Sequence, residues 1–199
     1  MVKFRSALES RLILGRYGAE CSAPPVRLSE EPLENFFQIA GWPGDCEEKM
    51  MPVLSKLGLP GMGIVGTTQH SNGKSVFRVA PERLHVRTQN SEIWNWVSQY
   101  AEANNLSALD LSHARTIICL TGGQSRDLLS RLVPIDLDPE IFIPTSFALT
   151  GIHNIPVMLH RLSYRTESPA FHLFVPYSWA ASVWDLMCEA ALPFGYEVH

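Results

Sequence analysis

Asp110, Ser112 and His113 place a carboxylate, a hydroxyl and an imidazole in one short stretch, the set that acyl transfer uses for a nucleophile and its oriented base. Neighbouring residues on an extended segment point to opposite faces, and the members of such a triad come from separate elements. Asp110 and Ser112 are therefore read as tying down the backbone. Gly61-Met62-Gly63-Ile64-Val65-Gly66 spells the bare dinucleotide pattern, which binds pyrophosphate only when a strand precedes it and a helix follows. Here a helical stripe precedes it and the polar run TTQHSNGKS follows, so the glycines are expected to loosen a loop and a twisted strand. Gly122 and Gly123 stand before a second helical stripe and could face an anion there; a turn demanded by strand-helix packing is the preferred reading. His160 and His172 could be cross-strand neighbours, two metal ligands at most, while His70, His85 and His153 are scattered singly. Cys21, Cys46, Cys119 and Cys188 form no CxxC pair and are read as reduced thiols, with no zinc spacing among them. No catalytic, cofactor-binding or metal residue is assigned.

The elements that must position these groups follow from periodicity. From Arg115 to Thr121 the apolar residues Ile117, Ile118, Cys119 and Leu120 fill both alternating faces, as in a strand covered on both sides. After the glycines, Leu128, Leu129 and Leu132 recur at helical spacing, with Arg126, Asp127 and Arg131 outward and Pro134 as the stop. Upstream, Phe36 to Trp42 reads as a strand. Asp45 and Glu48 have capping-box spacing ahead of the stripe Met50, Val53, Leu54 and Leu57, which ends at Gly58; Pro52 predicts a kink or a start nearer Lys49. Ser75 to Thr88 divides at Pro81-Glu82 into two strands, and Ser91 caps a helix with Ile93, Val97 and Tyr100 on one face. Downstream, Phe147 to Thr150, Val157 to Tyr164 and Ala170 to Val175 read as strands. They lead to a helix from Trp179, capped by Ser178, with Trp179, Val183, Leu186, Met187 and Ala190 inward.

The order strand, helix, strands, helix thus occurs twice. It predicts an α+β fold of duplicated, ferredoxin-like strand-helix-strand-strand-helix units, with a shared or abutting sheet. The division expected is an N-terminal arm over residues 1–35, a first half over 36–106 and a second over 107–199. The arm carries Phe4, Leu8, Leu12, Ile13, Leu14 and Tyr17 among Gly15, Gly18, Pro24, Pro25 and Pro32, without sustained periodicity, and is read as lying on another surface, its own domain or a partner, with the partner preferred on the resemblance given below.

A chain of 199 residues can bury one good core, and 46% hydrophobic residues argue against disorder. A formal charge of −4 does not point to nucleic acid. No apolar run approaches the roughly 20 residues of a membrane span, and residues 1–11 lack the pattern of a signal peptide, so a soluble cytoplasmic protein is expected.

The order Asp110-Leu111-Ser112-His113, a strand, Gly122 and Arg126-Asp127-Leu128-Leu129 resembles the gamma subunit of heterotetrameric sarcosine oxidase. More distantly it resembles the folate-binding T-protein of the glycine cleavage system. The likeness runs from about Arg16 to the last helix and continues through Val157 to Leu162, Phe171 to Pro176 and Trp179 to Trp184. The resemblance implies a folate-binding-domain fold and a non-catalytic subunit that assembles with alpha, beta and delta subunits. FAD, FMN, NAD and tetrahydrofolate would be carried by those chains and none by this one. The T-protein relatives carry acidic residues at the start of the strand corresponding to Val157 to Leu162. Here GIHNIPVMLHRL has no carboxylate, so their fold is carried over and their folate site is not. Phe4, Leu12, Tyr17, Trp94 and Trp96 are the candidate interface residues. Equivalent service in an N-methylglutamate dehydrogenase, and a free-standing folate-binding protein, are the alternatives.

Overall fold

The computed structural model describes residues 6–31, 35–162 and 168–199. In chain order the elements are β1 (Gly15–Tyr17), β2 (Val26–Glu31), β3 (Phe36–Ala40), α1 (Cys46–Leu57), β4 (Thr68–Ser71), β5 (Lys74–Ala80), β6 (Arg83–Arg87), α2 (Ser91–Ala103) and β7 (Ser107–Asp110). There follow β8 (Arg115–Thr121), α3 (Ser125–Ser130), β9 (Phe147–Ile152), β10 (Ile155–Arg161), β11 (Ala170–Pro176), a 3-10 turn Tyr177–Trp179, α4 (Ala180–Ala191) and β12 (Tyr196–Val198). The fold is α+β, as the periodicities predict. The chain divides into two compact units, Leu33–His113 and Met1–Pro32 with Ala114–His199.

In Leu33–His113 the strands lie in the order β4-β5-β6-β3-β7, all antiparallel. Phe37, Ile39, Val76, Leu84 and Val86 from the sheet pack with Met50, Val53, Leu54 and Leu57 of α1 and Ile93, Val97 and Ala101 of α2. The α1 stripe is the predicted one; on α2 Ala101 joins Ile93 and Val97 in the core, and Tyr100, expected there, is only partly buried. Helix α1 begins at Cys46 and runs through Pro52; Asp45 makes no capping bond and instead pairs with Lys49 at 2.6 Å. Gly58 closes it in the left-handed conformation. Helix α2 is capped one residue earlier than expected, the Asn90 side chain accepting the Glu92 N–H at 2.9 Å. The polar run after Gly66 is not merely a turn: Thr68–Ser71 pairs with Lys74–Phe77 across Asn72-Gly73. Both of those residues have positive φ, as a two-residue hairpin requires. Ser107–Asp110 also belongs here, pairing with β3, and so closes the first sheet instead of opening the second half at residue 107.

The second unit has the strand order β1-β12-β2-β8-β11-β10-β9, antiparallel throughout except that β12 runs parallel to β2. Leu28, Ile118, Leu120, Val157, Leu159, Phe171, Leu173 and Val175 pack with Leu128 and Leu129 of α3 and Val183, Trp184 and Met187 of α4. The expected arm is corrected for its described residues. Strand β2 is hydrogen-bonded on both sides inside this sheet, and Leu8, Val26 and Leu28 are wholly buried in its core. The two units carry separate sheets, not one shared sheet. Helix α4 also departs from expectation: Ser178 and Trp179 form the 3-10 turn before it, and Trp179 is half exposed. The Tyr177 N–H bonds to the Ala114 carbonyl at 2.9 Å, which holds the turn against the start of β8.

Candidate functional site

Strand β7 brings Asp110 and Ser112 to the start of β3. The Ser112 hydroxyl accepts the Phe36 N–H at 3.0 Å and donates to the Phe36 carbonyl at 3.3 Å, while its own N–H bonds Asp110 Oδ1 at 2.9 Å. The Leu111 N–H joins the same Phe36 carbonyl at 2.8 Å. These groups fasten the edge of the first sheet, and the hydroxyl is engaged on both its donor and acceptor sides. His113 is exposed beside them. The dinucleotide-like glycines form a loop between α1 and β4, with no helix after them on which a pyrophosphate could rest.

At the turn after β8, Gly122 has φ +116°, and a Cβ there would run into the Pro25 carbonyl. Gln124 N–H bonds that same carbonyl at 3.1 Å. Ser125 Oγ lies 2.7 Å from the Gly122 carbonyl and 3.2 Å from that of Pro169, so the start of the short α3 is filled by the protein's own polar groups. The glycine answers to the N-terminal strand that crosses it, a reason more specific than strand-helix packing.

On the other face of the second sheet His160 and His172 are direct cross-strand partners, with ring centroids 6.4 Å apart. His172 Nε2 lies 2.6 Å from Glu31 Oε2 at the end of β2. Its neighbour Glu30, pointing to the opposite face, accepts from Thr116 Oγ1 at 2.6 Å and from Ser6 Oγ. A carboxylate placed there can orient the imidazole ring. Among the described residues no three His, Cys, Asp or Glu side chains converge to hold a metal ion. Arg161, at the end of β10, is 3% exposed and donates through Nη1 to the carbonyls of Pro139 (3.1 Å) and Phe142. Burial holds its guanidinium below the ordinary arginine range; the like charge of Arg126 adds to this and Asp138 opposes it. Strand β10, Ile155–Arg161, carries no carboxylate.

A hollow of about 560 Å³ opens where β1 meets β12, lined by Arg16, Tyr17, Gly18, Cys21, Pro24 and Tyr196 among others. Tyr17 stacks on Tyr196 at 5.2 Å along one wall. Burial, with the Cys188 thiol beside it, pushes the Tyr196 phenol well above its ordinary pKa. Periodicity does not reveal this hollow, because it exists only once the chain's two ends pair.

The candidate interface residues fall in different units. Phe4 lies outside the described residues. Leu12 and Tyr17 are partly buried against the core of the second unit. Trp94 packs on Phe37 at 5.3 Å, and Trp96 stacks on Tyr100 at 5.1 Å with Lys56 Nζ 5.8 Å from its ring centroid. The side chains turned outward are others, Ile13, Leu14, Trp42 and Ile64 foremost.

Two sheet-and-helix units, one of them completed by a strand from the chain's start, define an α+β protein whose polar clusters mostly fasten its own backbone. The chain belongs to the GCVT N-terminal domain family, whose match covers residues 73–198, more than half of it. It is 27% identical over 119 residues to an aminomethyltransferase of Thermotoga neapolitana, a match covering 58% of this chain and 32% of that protein. The matched stretch is thus about a third of the length of that curated relative. Its fold is shared with a chain of the heterotetrameric sarcosine oxidase from Corynebacterium sp. U-96, solved in complex with pyrrole 2-carboxylate. The TM-score is 0.81 at 21% identity, over 96% of each chain. No helix among the described residues is long and apolar enough to cross a membrane.

Proposed function

We propose that this chain is the non-catalytic gamma-type subunit of a heterotetrameric sarcosine oxidase, an enzyme that oxidatively demethylates sarcosine. In this reading it supports assembly with the alpha subunit, alongside beta and delta, in the cytoplasm. FAD, FMN, NAD and tetrahydrofolate are held by those partners. The observation that carries the reading is the end-to-end coincidence of fold with one chain of such an oxidase, 96% of each. The use of Ser112, Asp110 and Ser125 as backbone fasteners supports it, because these polar groups are committed to structure.

Gentle purification of the tagged protein from its native host, with mass spectrometry and a visible spectrum, tests this. A yellow complex with larger chains is expected, and those chains identify the substrate. A colourless single species overturns the proposal. The family match and the aminomethyltransferase relative favour a second reading, a free-standing folate-binding protein. Saturable micromolar binding of tetrahydrofolate to the isolated chain, measured by calorimetry, would select it. Absence of that binding leaves the subunit reading in place.

A further inference from the structure

In the unit Leu33–His113 three loops are drawn to one corner. Gly41 N–H bonds the Glu82 carbonyl at 2.9 Å, and the Cys46 thiol approaches the same carbonyl at 3.8 Å. Arg78 joins the remaining two segments, its Nη1 donating to Gly63 O at 2.6 Å and its Nη2 to Pro81 O at 2.9 Å. Gly66 N–H bonds back to the Arg78 carbonyl at 2.9 Å. The loop after β3, the loop before β4 and the β5–β6 turn are therefore held together by named bonds.

The large side chains on these loops do not turn inward. Trp42 is 76% exposed and Ile64 75%, with Val65 also in solvent. Burying such side chains is favourable, so loops fastened in a geometry that displays them leave that stabilisation unused. A Trp on a fixed loop, with exposed aliphatic residues on a second loop fastened to the same turn, has the make-up of an interface anchor. The polar surround is acidic. Asp45, Glu47 and Glu48 are exposed in and before the first turn of α1, and Glu82 is partly exposed in the turn. Against them stand Arg83 and Lys49, the latter tied to Asp45, while Arg78 is occupied by two carbonyls.

We propose that this corner is a protein-docking surface. Its partner, in line with the subunit reading on which the proposal rests, is the largest chain of the complex. Trp42 and Ile64 seat in an apolar depression of that chain, whose lysines or arginines face Glu47, Glu48 and Glu82. The apolar centre supplies the affinity, and the carboxylates set orientation and association rate.

The test uses the full-length chain and the largest chain that copurifies with it, in two measurements. In the first, Trp42→Ala weakens binding by about 30-fold or more and Ile64→Ser by less. The double variant Glu47→Lys/Glu48→Lys slows association and flattens its dependence on salt. Circular dichroism is expected to stay at wild type throughout, since the side chains changed are in solvent. In the second, hydroxyl-radical footprinting of the intact wild-type complex shows Trp42 protected relative to the free chain. Wild-type affinity in Trp42→Ala, together with equal oxidation of Trp42 in complex and free chain, overturns the proposal and leaves the subunit reading intact. Concentration-dependent self-association abolished by Trp42→Ala also overturns it, by making a second copy the occupant. If no larger chain copurifies, both readings fall together.

Discussion

The two units share one order of elements and complete their sheets differently. In the first, β3-α1-β4-β5-β6-α2-β7 gives the sheet order β4-β5-β6-β3-β7. In the second, β8-α3-β9-β10-β11-α4-β12 repeats the order, and the sheet likewise runs β9-β10-β11-β8. The place beside β8, which β7 fills beside β3, is taken by β2, and β12 is moved one place outward, parallel to it. One unit is closed by the strand that follows its own second helix, whereas the other needs a strand that lies ahead of both repeats in the chain. Contacts within the first are correspondingly local in sequence, while the second cannot complete its sheet until both chain ends are present.

The sharpest break in that comparison is removal of β2. A chain lacking the residues up to Glu31 is expected to lose the second unit, because β8 loses one partner, β12 loses both of its own, and Val26 and Leu28 leave the core. The first unit is expected to persist, since its sheet and both helices come from one continuous segment. Hydrogen exchange reads the difference: protected amides in α1 and α2, fast exchange in α4. Slow exchange in α4 would show that the second unit closes without β2.

Gly122 is the next largest effect. Gly122→Ala must relieve both the positive φ and the encounter with the Pro25 carbonyl. A loss of about 3 kcal/mol in denaturant unfolding is expected. Gly61→Ala in the first unit, with open space around it, should change stability by no more than about 0.5 kcal/mol. Equal effects would remove the argument that β2 dictates the glycine. A smaller change tests how β2 is held. Glu30→Ala leaves the wholly buried Thr116 hydroxyl without its acceptor, a loss of about 1–3 kcal/mol. Glu30→Gln keeps an acceptor and should recover most of it.

Long apolar stripes were legible in the sequence, and short strands were not. Ile117 to Leu120, the Met50–Leu57 stripe and Val183 with Met187 each repeat often enough to declare a strand or a helix unaided. Strand β2 offers only Val26 and Leu28 before Ser29, Glu30 and Glu31, a pattern that reads as surface. Its burial comes from β8 and β12, far along the chain, and its carboxylates are satisfied by Thr116 and His172, which no local window contains. The Asn72-Gly73 hairpin was legible in principle, since that dipeptide is the standard signal, but its strand β4 is all polar and hides the alternation. Among the polar groups, the backbone role of Asp110 and Ser112 could be read from spacing. The reason for Gly122 could not, because the atom it avoids belongs to the N-terminal segment. The exposure of Trp42 and Ile64 was equally hidden, since apolar residues beside a predicted strand and helix are expected to pack inward.

Two desolvated thiols give the gentlest probe of whether the units open independently. Cys46 lies in the first unit and Cys188 in the second. Desolvation raises both above the ordinary thiol value; Glu82 adds to the rise at Cys46, and a hydrogen bond with Tyr196 opposes it at Cys188. Because the folded-state pKa is raised, the unfolded chain releases the proton first. Each thiol's contribution is complete below the ordinary thiol pKa of about 8.5 and is lost as pH rises through the higher folded value. Stability should therefore decline on the alkaline side, and Cys46→Ala should flatten that limb for the first unit alone, with Cys188→Ala doing so for the second. Exposed Cys21 labels at once with a thiol reagent, buried Cys46 only on opening, and partly buried Cys188 slowly until its unit opens. If the strand inserted from the chain's start makes the second unit a separate cooperative element, labelling of Cys46 and of Cys188 will accelerate at different denaturant concentrations. Coincident labelling would mean that the two units, despite their different closure, unfold as one.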